Sequence, residues 1–453
     1  MAQVNGRTKT EPLRTHEGGI AKRINSEQML RRSVMSCMLW ENEFYEDGVT
    51  IADRIAELVK HVNQETVMNL AMEARNKGNL RHVPLLLLRE SVRNGGSIAN
   101  ALENVIQRPD ELAEFLAIYW KDGKTPVAAQ VKKGLAKAFP KFNAYQLAKY
   151  NRDRDIMLRD VLFICHAKPN SAEQAETWKK LVDGTLESAD TWEKNLSAGE
   201  DKKTTWERLI TENKLGAMAL LRNLRNMLKV GVNVDYIKAG LKTMKTDKVL
   251  PFRFITAEKY APSLSDSLEE AMLRSLGEYE KVKGKTILLI DSSGSMCQLI
   301  SDKSELTKLD AANALAILAR EIFEDVRIFA FSTKDFRKSY IEEIPTRHGF
   351  AIRDKINAMY HGGTYLGEAV KKMNEIGYER IVVFTDEQSA DTVPTPVGDK
   401  NYMINVASNV NGVGYGKWNH INGFSEATID YIIELEKNFS EPKEDCEKIQ
   451  NLL

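Results

Sequence analysis

The chain has 453 residues, of which 43% are hydrophobic and 28% charged, with 64 Lys and Arg residues against 64 Asp and Glu residues. This composition is typical of a globular protein of two or three domains, and it excludes a disordered chain or a small disulfide-held module. No apolar run reaches the ~18 residues of a membrane span and the first 19 residues are polar, so we expect a cytoplasmic protein with reduced cysteines.

Residues 26–280 have the periodicity of a series of α-helices. Apolar residues recur every three or four positions in segments such as 29–40, 49–58, 66–77, 111–120 and 215–227. Glycines and prolines divide the chain into helices of roughly 10–15 residues. Short helices in series favour pairwise stacking, as in HEAT-like repeats, although no fixed sequence period marks the repeats. We therefore predict an all-α domain over residues 1–280.

Residues 281–453 have a different pattern. Four short apolar runs, at 286–290, 326–331, 381–384 and 402–407, each have the length of a strand buried on both faces. Helical stretches at 306–323, 352–360, 366–376 and 425–439 alternate with them. This alternation predicts an α/β domain with a parallel, doubly wound sheet, whose ligands bind at the carboxyl ends of the strands.

Three polar motifs lie at strand ends or loops of the predicted α/β domain. Asp291, Ser293 and Ser295 come at the end of the first strand, Thr364 follows a glycine pair, and Asp386 follows the third strand. Their two carboxylates and three hydroxyls are hard oxygen donors suited to Mg²⁺ (or Mn²⁺). The alternative is that the Asp-Ser-Ser-Gly-Ser string is only a turn, but its position and the two further motifs favour a metal site.

These motifs predict binding rather than catalysis. A Mg²⁺ hydrolase needs a general base or a second metal, and this set offers only Asp291, Asp386 and Glu387. The sequence contains no G-x-x-x-x-G-K-[ST] loop and no H-E-x-x-H motif, and its seven histidines do not cluster. We therefore predict a protein without enzymatic activity.

A basic segment stands out in the otherwise neutral chain. Residues 121–170 hold 11 Lys and Arg residues against 4 Asp residues. Helical spacing places Lys133 and Lys137 on one face, and Arg159 and His166 on another. Such a surface suits a phosphate backbone. The alternative is a solvated helical face, but the size of the surplus favours nucleic acid; the interleaved aromatic residues are expected in the core.

Motifs in both halves resemble known families. The metal motifs resemble the metal-ion-dependent adhesion site of von Willebrand factor A domains. The whole chain resembles the Ro autoantigen (TROVE) family, including its bacterial members. The motifs that carry this second resemblance occur in the family's order, at residues 30–34, 40–42, 44–48, 138–139, 149–152, 166–169, 215–227, 251–254, the metal motifs and 423–424.

The Ro resemblance implies a HEAT-like helical ring over residues 1–280 that is clasped by a Rossmann-like von Willebrand A domain over residues 281–453. It further implies a ribonucleoprotein of RNA quality control that is not an enzyme. In this family small noncoding Y RNAs bind the outer surface and single-stranded ends of misfolded RNAs enter the hole. Bacterial members can link a 3′-exonuclease such as polynucleotide phosphorylase to RNA.

The resemblances also assign roles to individual residues. As metal ligands they imply the hydroxyls of Ser293, Ser295 and Thr364, with Asp291 and Asp386 bound directly or through water. The residues expected to bind RNA are Lys149, Arg152, His166 and Lys168 from the family motifs, and Lys133, Lys137, Lys141 and Arg159 from helical spacing.

Two hypotheses of different class follow. The first is an RNA-binding ring, which we predict to be a monomer because a closed ring leaves no edge for stacking. The second is a metal-dependent protein-interaction module that holds an acidic protein ligand without RNA. Nucleic acid that co-purifies with the protein would separate the two.

Overall fold

The structure, a computed structural model, describes residues 12–37, 39, 46–187, 189–190, 192–197, 199, 201–278, 280–335, 338–345 and 347–440. The motif residues 40–42 and 44–45 lie outside this part of the chain. Among the described helices, none combines the length and the hydropathy that a membrane span needs.

The first half of the chain consists of short helices. Several begin where a polar side chain accepts a hydrogen bond from a first-turn amide, as Asn25, Asp47 and Ser171 do. Their bounds are α1 (Ser26–Met35), α2 (Gly48–Val59), α3 (Gln64–Asn76), α4 (Val83–Arg93), α5 (Ala99–Val105), α6 (Pro109–Tyr119), α7 (Ala129–Ala138), α8 (Ala144–Tyr150), α9 (Leu158–Cys165), α10 (Ala172–Asp183), α11 (Trp192–Ser197), α12 (Lys202–Thr211), α13 (Ala217–Lys229), α14 (Val234–Thr243), α15 (Phe252–Tyr260) and α16 (Ser265–Leu273).

These helices stack in chain order. Each packs mainly on helices one or two positions along the chain, for example α2 on α4, α3 on α5, α5 on α7, and α7 on α9. The same pattern continues with α12 on α14 and α14 on α16. Stacking of successive short helices buries a continuous core, which is the arrangement that the sequence predicts for HEAT-like repeats.

The second half of the chain forms a six-stranded sheet. Its strands are β1 (Val282–Asp291), β2 (Phe323–Asp335), β3 (Lys338–Ile344), β4 (Arg380–Thr385), β5 (Lys400–Asn405) and β6 (Asn419–Asn422). The strand order is β3-β2-β1-β4-β5-β6, parallel throughout except for the antiparallel pair β2 and β3. The helices of this half are α17 (Lys308–Ile322), α18 (Phe350–Asn357), α19 (Leu366–Ile376) and α20 (Ala427–Ser440).

The four predicted strands correspond to β1, β2, β4 and β5, and the predicted α/β class is confirmed. The two strands that the sequence analysis did not predict, β3 and β6, lie at the edges of the sheet. Edge strands are covered on fewer sides, so their sequences, such as Lys-Ser-Tyr-Ile-Glu-Glu-Ile in β3, lack a continuous apolar run. The sheet is thus parallel in its centre and antiparallel at one edge.

Both ends of the helical series contact the α/β domain. Near the end of α1, the Ser36 hydroxyl donates to the Asn405 carbonyl of β5 at 3.0 Å. At the other end, α15 packs on α17, and the Lys259 ammonium lies 2.7 Å from the Asp310 carboxylate. The α/β domain therefore joins the first helix to the last ones and closes the series into a ring.

Candidate functional site

The sheet topology brings two of the metal motifs to one place. The strand order reverses at β1, since β2 and β3 lie on one side of it and β4 to β6 on the other. Asp291 is the last residue of β1, and Asp386 directly follows β4. Because β1 and β4 are parallel neighbours, both carboxylates lie at the carboxyl edge beside the switch point, where ligands bind in open α/β sheets.

The loop after β1 points its oxygen atoms together. One carboxylate oxygen of Asp291 accepts the backbone N–H of Ser293 at 2.9 Å, and the other accepts the Thr385 hydroxyl at 2.7 Å. The hydroxyls of Ser293 and Ser295 are 3.2 Å apart. All of these side chains are buried. The Asp-x-Ser-x-Ser spacing therefore places the side-chain oxygens of Asp291, Ser293 and Ser295 on one side of the loop.

The glycine pair lets the third motif approach this loop. The Gly294 amide donates to the Gly362 carbonyl at 2.7 Å. A Cβ at Gly362 would lie 2.3 Å from the Thr333 carbonyl oxygen, so only glycine fits there. Thr364 follows as a buried residue whose carbonyl accepts from the Ala390 amide at 3.0 Å. The structure thus brings all three predicted metal motifs together.

The two carboxylates of this site lie in a buried, crowded environment. Burial raises the pKa of Asp291 above its usual range, and the nearby charge of Asp386 raises it further. Only 1% of Lys308 is exposed, and its ammonium lies 3.4 Å from a carboxylate oxygen of Asp386. The site thus holds two carboxylates and one ammonium, so one negative charge has no counter-charge when both carboxylates are ionised. Two carboxylates and three hydroxyls are also the kind of oxygen ligands that coordinate Mg²⁺. The residues therefore fit a hard divalent cation.

Other metal chemistries find less support. Within the described residues, no three His, Cys, Asp or Glu side chains group closely enough to hold a metal. A site for zinc or another metal that prefers nitrogen or sulfur ligands would need such a group. The hydroxyl-rich set at Ser293, Ser295 and Thr364 is the arrangement that the sequence predicts.

Glu387, the third acidic residue near the metal motifs after Asp291 and Asp386, links the α/β domain to helix α1. It is fully buried at a positive φ of 58°, and it accepts from the Arg32 guanidinium of α1 at 2.6 Å. Its other oxygen lies 2.9 Å from Nδ1 of His420. Burial alone would raise the pKa of Glu387, but Arg32 and His420 hold it below its usual range. Glu387 is therefore a charged structural anchor.

The predicted RNA residues divide into two groups. The first group is exposed, and within the described part of the chain these side chains make no hydrogen bond or ion pair. We call this group the basic surface; it consists of Lys133, Arg152, Arg159, His166 and Lys168. It lies on α7 and α9, which pack together, and on the segments that flank α9.

The second group already has partners. The Lys137 ammonium donates to the Asn100 side chain of α5 at 2.7 Å. The Lys141 ammonium donates to two carbonyl oxygens at the end of α5 at 2.5 and 2.6 Å, and burial lowers its pKa. Lys149 is half-buried, with its ammonium 5.8 Å from the centroid of the Tyr150 ring. These three lysines would have to exchange contacts to bind phosphate.

A second cationic site was not predicted. A cleft of about 610 Å³ lies between α13, α15 and the loop at residues 303–306 of the α/β domain. We call it the arginine cleft; its cationic residues are Arg222, Arg225, Arg253 and Lys303. The Arg225 guanidinium lies 5.7 Å from the Tyr260 ring centroid, and the Tyr260 hydroxyl donates to Glu305 at 2.7 Å.

Part of the arginine cleft could have been found in the sequence. Arg222 and Arg225 are three residues apart on α13, so they share a helix face, and Leu221 lines the cleft beside them. Lys303 could not have been added, since it comes from a loop of the other domain that is close only in the folded chain.

Comparisons with known proteins agree with this architecture. Residues 183–309 match the TROVE domain family, a range that includes all residues lining the arginine cleft and the Asp-x-Ser-x-Ser loop. The crystal structure of the Deinococcus radiodurans Ro (RSR) protein superposes with a TM-score of 0.58 at 19% sequence identity. The superposition covers 90% of this chain and 98% of the Deinococcus chain. A comparison with curated protein sequences finds no match.

The fold and the matches define a class of protein, a ring of stacked helices closed by an α/β domain. The resemblance to the Ro (TROVE) family that the sequence motifs indicate is confirmed over residues 183–309 by the family match, and the similarity in fold to the Deinococcus Ro protein extends over most of the chain. The assignment of the α/β half to the von Willebrand A domains stays a prediction, which the position of the three metal motifs supports.

Proposed function

We propose that this protein binds RNA through the basic surface. The observation that carries the proposal is a group of exposed cationic side chains without carboxylate partners in the described part of the chain. Such cations attract phosphates without first breaking an ion pair, and the release of condensed counterions then favours binding. The Ro resemblance supports RNA as the polyanion, and we assign small noncoding Y-like RNA to this surface.

We assign the single-stranded 3′ ends of misfolded RNA to the arginine cleft. The cleft is lined by four cations and by one carboxylate, that of Glu305, which accepts from the Tyr260 hydroxyl. Tyr260 is itself exposed, so its ring is available to stack on an unpaired base. Because the cleft lies between the helices and the α/β domain, an RNA end held there would contact both halves of the ring.

The wider role that we propose follows from these two sites. The protein would act in the cytoplasm as a monomeric ribonucleoprotein of RNA quality control that presents RNA to a 3′-exonuclease such as polynucleotide phosphorylase. No catalytic step is proposed for the chain itself. Asp386 is paired with Lys308, and Glu387 with Arg32, so these acids are poorly placed to act as general bases.

We propose that the metal site binds one Mg²⁺ or Mn²⁺. Its ligands would be the hydroxyls of Ser293, Ser295 and Thr364, with Asp291 and Asp386 bound directly or through water. The cation would supply positive charge to two buried carboxylates and a position for an acidic group of another molecule. The ligands belong to the α/β domain and the basic surface to the helical domain, so we expect RNA to bind without the metal.

The basic surface can be tested through the salt dependence of RNA binding. About four to six phosphate contacts predict that log affinity falls with log salt at a slope of roughly −3 to −5. The double variant Arg152→Ala/Arg159→Ala should flatten this slope by about 1–2 and weaken many RNA sequences alike, because phosphate contacts carry little sequence information. The measurement is a fluorescence titration of a structured RNA with a single-stranded 3′ tail at several salt concentrations.

A matched control removes the same charge elsewhere. Lys238 and Lys242 are exposed on α14, one turn apart, and Lys238→Ala/Lys242→Ala should leave the slope unchanged. An unchanged slope and affinity in the folded Arg152/Arg159 variant would instead show that the segment is a solvated face.

A further inference from the structure

The outer face of α9 carries a large apolar residue that is not packed. Leu158, Val161 and Cys165 form the buried side of this helix. Phe163 lies on the other side with 61% of its surface exposed, as much as any large apolar residue in the described part of the chain. A single exposed apolar side chain does not by itself require a partner, so the charged groups near Phe163 decide what it can bind.

Two residues of the basic surface come before and after Phe163 in the chain, Arg159 on α9 and His166 just past its end. Arg159 precedes Phe163 by four residues on α9, a spacing that places these two side chains on one helix face. The helix ends at Cys165, and His166 follows in the left-handed conformation at φ 52°, so helical spacing does not place His166 on the face of Arg159 as the sequence predicts. At about 1.5 Å per residue, Arg159 lies about 6 Å, roughly one helical turn, from Phe163 along the helix axis. Both flanking side chains are exposed and make no hydrogen bond or ion pair with the residues that the structure describes.

The charged residues near the Phe163 side chain indicate what kind of partner it can bind. Asp160 is the one carboxylate of α9, and it caps the helix start by accepting the Met157 amide at 2.8 Å. Lys168 adds a further exposed cation just beyond His166. A flat apolar ring among cations is complementary to a strand that alternates flat bases with phosphates, whereas an apolar protein surface would leave these cations without counter-charges.

We propose that Phe163 is a stacking platform for one unpaired RNA base, with Arg159 and His166 placed for the phosphates on either side. This proposal rests on the proposed function, because it names a base contact within the basic surface. Stacking adds a preference for RNA with unpaired bases over duplex RNA, which contacts to phosphates cannot give. RNA with an unpaired base at this position would bind more tightly than a continuous duplex of equal charge.

The test compares Phe163→Leu, which keeps an apolar side chain but removes the aromatic face, with Phe163→Tyr, which keeps the face. The probe is an RNA hairpin with an unpaired tail, together with copies in which single tail or loop nucleotides are abasic. Phe163→Leu should lose about 5- to 150-fold in affinity, the range measured for one stacked base, and Phe163→Tyr should bind like the wild type. The salt slope should be the same in all three proteins, since no phosphate contact is removed.

The abasic probes identify the contact itself. One abasic position should weaken the wild type by the same factor as Phe163→Leu, and should not weaken Phe163→Leu further. Val397→Ala, which trims another exposed apolar side chain in the α/β domain, serves as the control and should bind normally.

Failure of the inference and failure of the proposed function give different results. If wild-type protein binds the hairpin with a steep salt slope but Phe163→Leu binds equally well, the stacking role is overturned and RNA binding stands. If wild-type protein binds no RNA, the proposed function is overturned and the stacking role with it. A Phe163→Leu variant that loses affinity equally for tailed hairpin and for blunt duplex would also overturn the base contact.

Discussion

Replacement of Lys308 by Met should destabilise the metal-free protein by about 3–5 kcal/mol, and Mg²⁺ should restore much of that loss. Lys308 is a fully buried ammonium beside Asp386, and its removal would leave the buried Asp386 carboxylate without this counter-charge. Removing one partner of a buried ion pair typically costs this much, since the remaining charge is neither paired nor hydrated. A divalent cation at the metal site would supply the missing charge, and ligand binding to the folded state stabilises it.

The measurement is thermal unfolding of wild type and Lys308→Met, each in chelator and in millimolar Mg²⁺. The variant should melt well below the wild type in chelator and should gain more from Mg²⁺ than the wild type does. Lys371→Met, which removes an exposed lysine of α19, should change neither value appreciably. Equal melting of Lys308→Met and wild type in chelator would contradict the role of Lys308, and a melting temperature insensitive to Mg²⁺ in both would contradict the metal site.

Arg32→Met should cost a similar amount, about 3–5 kcal/mol, by opening the contact that closes the ring. The Arg32 guanidinium lies 2.6 Å from the buried Glu387 carboxylate and also donates to the carbonyls of Asn409 and Asn411. Without it, a buried carboxylate and two carbonyls lose their donor. Urea unfolding followed by fluorescence gives the loss, and hydrogen exchange of the α1 amides should rise because this helix is held less firmly to the α/β domain.

The neighbouring arginine provides a matched control. Arg31 pairs with Glu73 at 2.5 Å, but both side chains are partly exposed, so Arg31→Met should cost no more than about 1 kcal/mol. Adding Glu387→Gln to Arg32→Met should recover part of the loss by removing the unpaired charge. Equal losses for Arg31→Met and Arg32→Met would show that the Arg32–Glu387 pair does not close the ring.

The sequence was most informative where local chemistry decides the structure. Strands that are buried on both faces of a parallel sheet have continuous apolar sequences, so β1, β2, β4 and β5 could be predicted. Their order in the chain also predicted that Asp291 and Asp386 lie at the same edge of the sheet. The edge strands β3 and β6 could not be predicted in this way, because their exposure allows polar residues among the apolar ones.

Contacts between distant segments were beyond sequence reasoning. The pairing of Lys308 with Asp386, and of Arg32 with Glu387, joins residues that only the folded chain brings together. All four of Arg152, Arg159, Lys137 and Lys141 are exposed, and charge alone could not show that the ammonium groups of the two lysines donate to α5. Phe163 was missed because an exposed phenylalanine looks like a core residue until the packing of α9 is known.

The most direct test of the RNA-binding account is ultraviolet crosslinking of the wild-type protein to RNA in its native cell, with identification of the crosslinked peptides and RNAs. The account predicts crosslinked peptides from residues 149–168, which include Phe163 and His166, and from the arginine cleft around Tyr260. The crosslinked RNAs should include small structured species and RNAs with single-stranded 3′ ends. Protein that carries no crosslinked RNA, or RNA crosslinked only to the α/β domain away from the cleft, would contradict it.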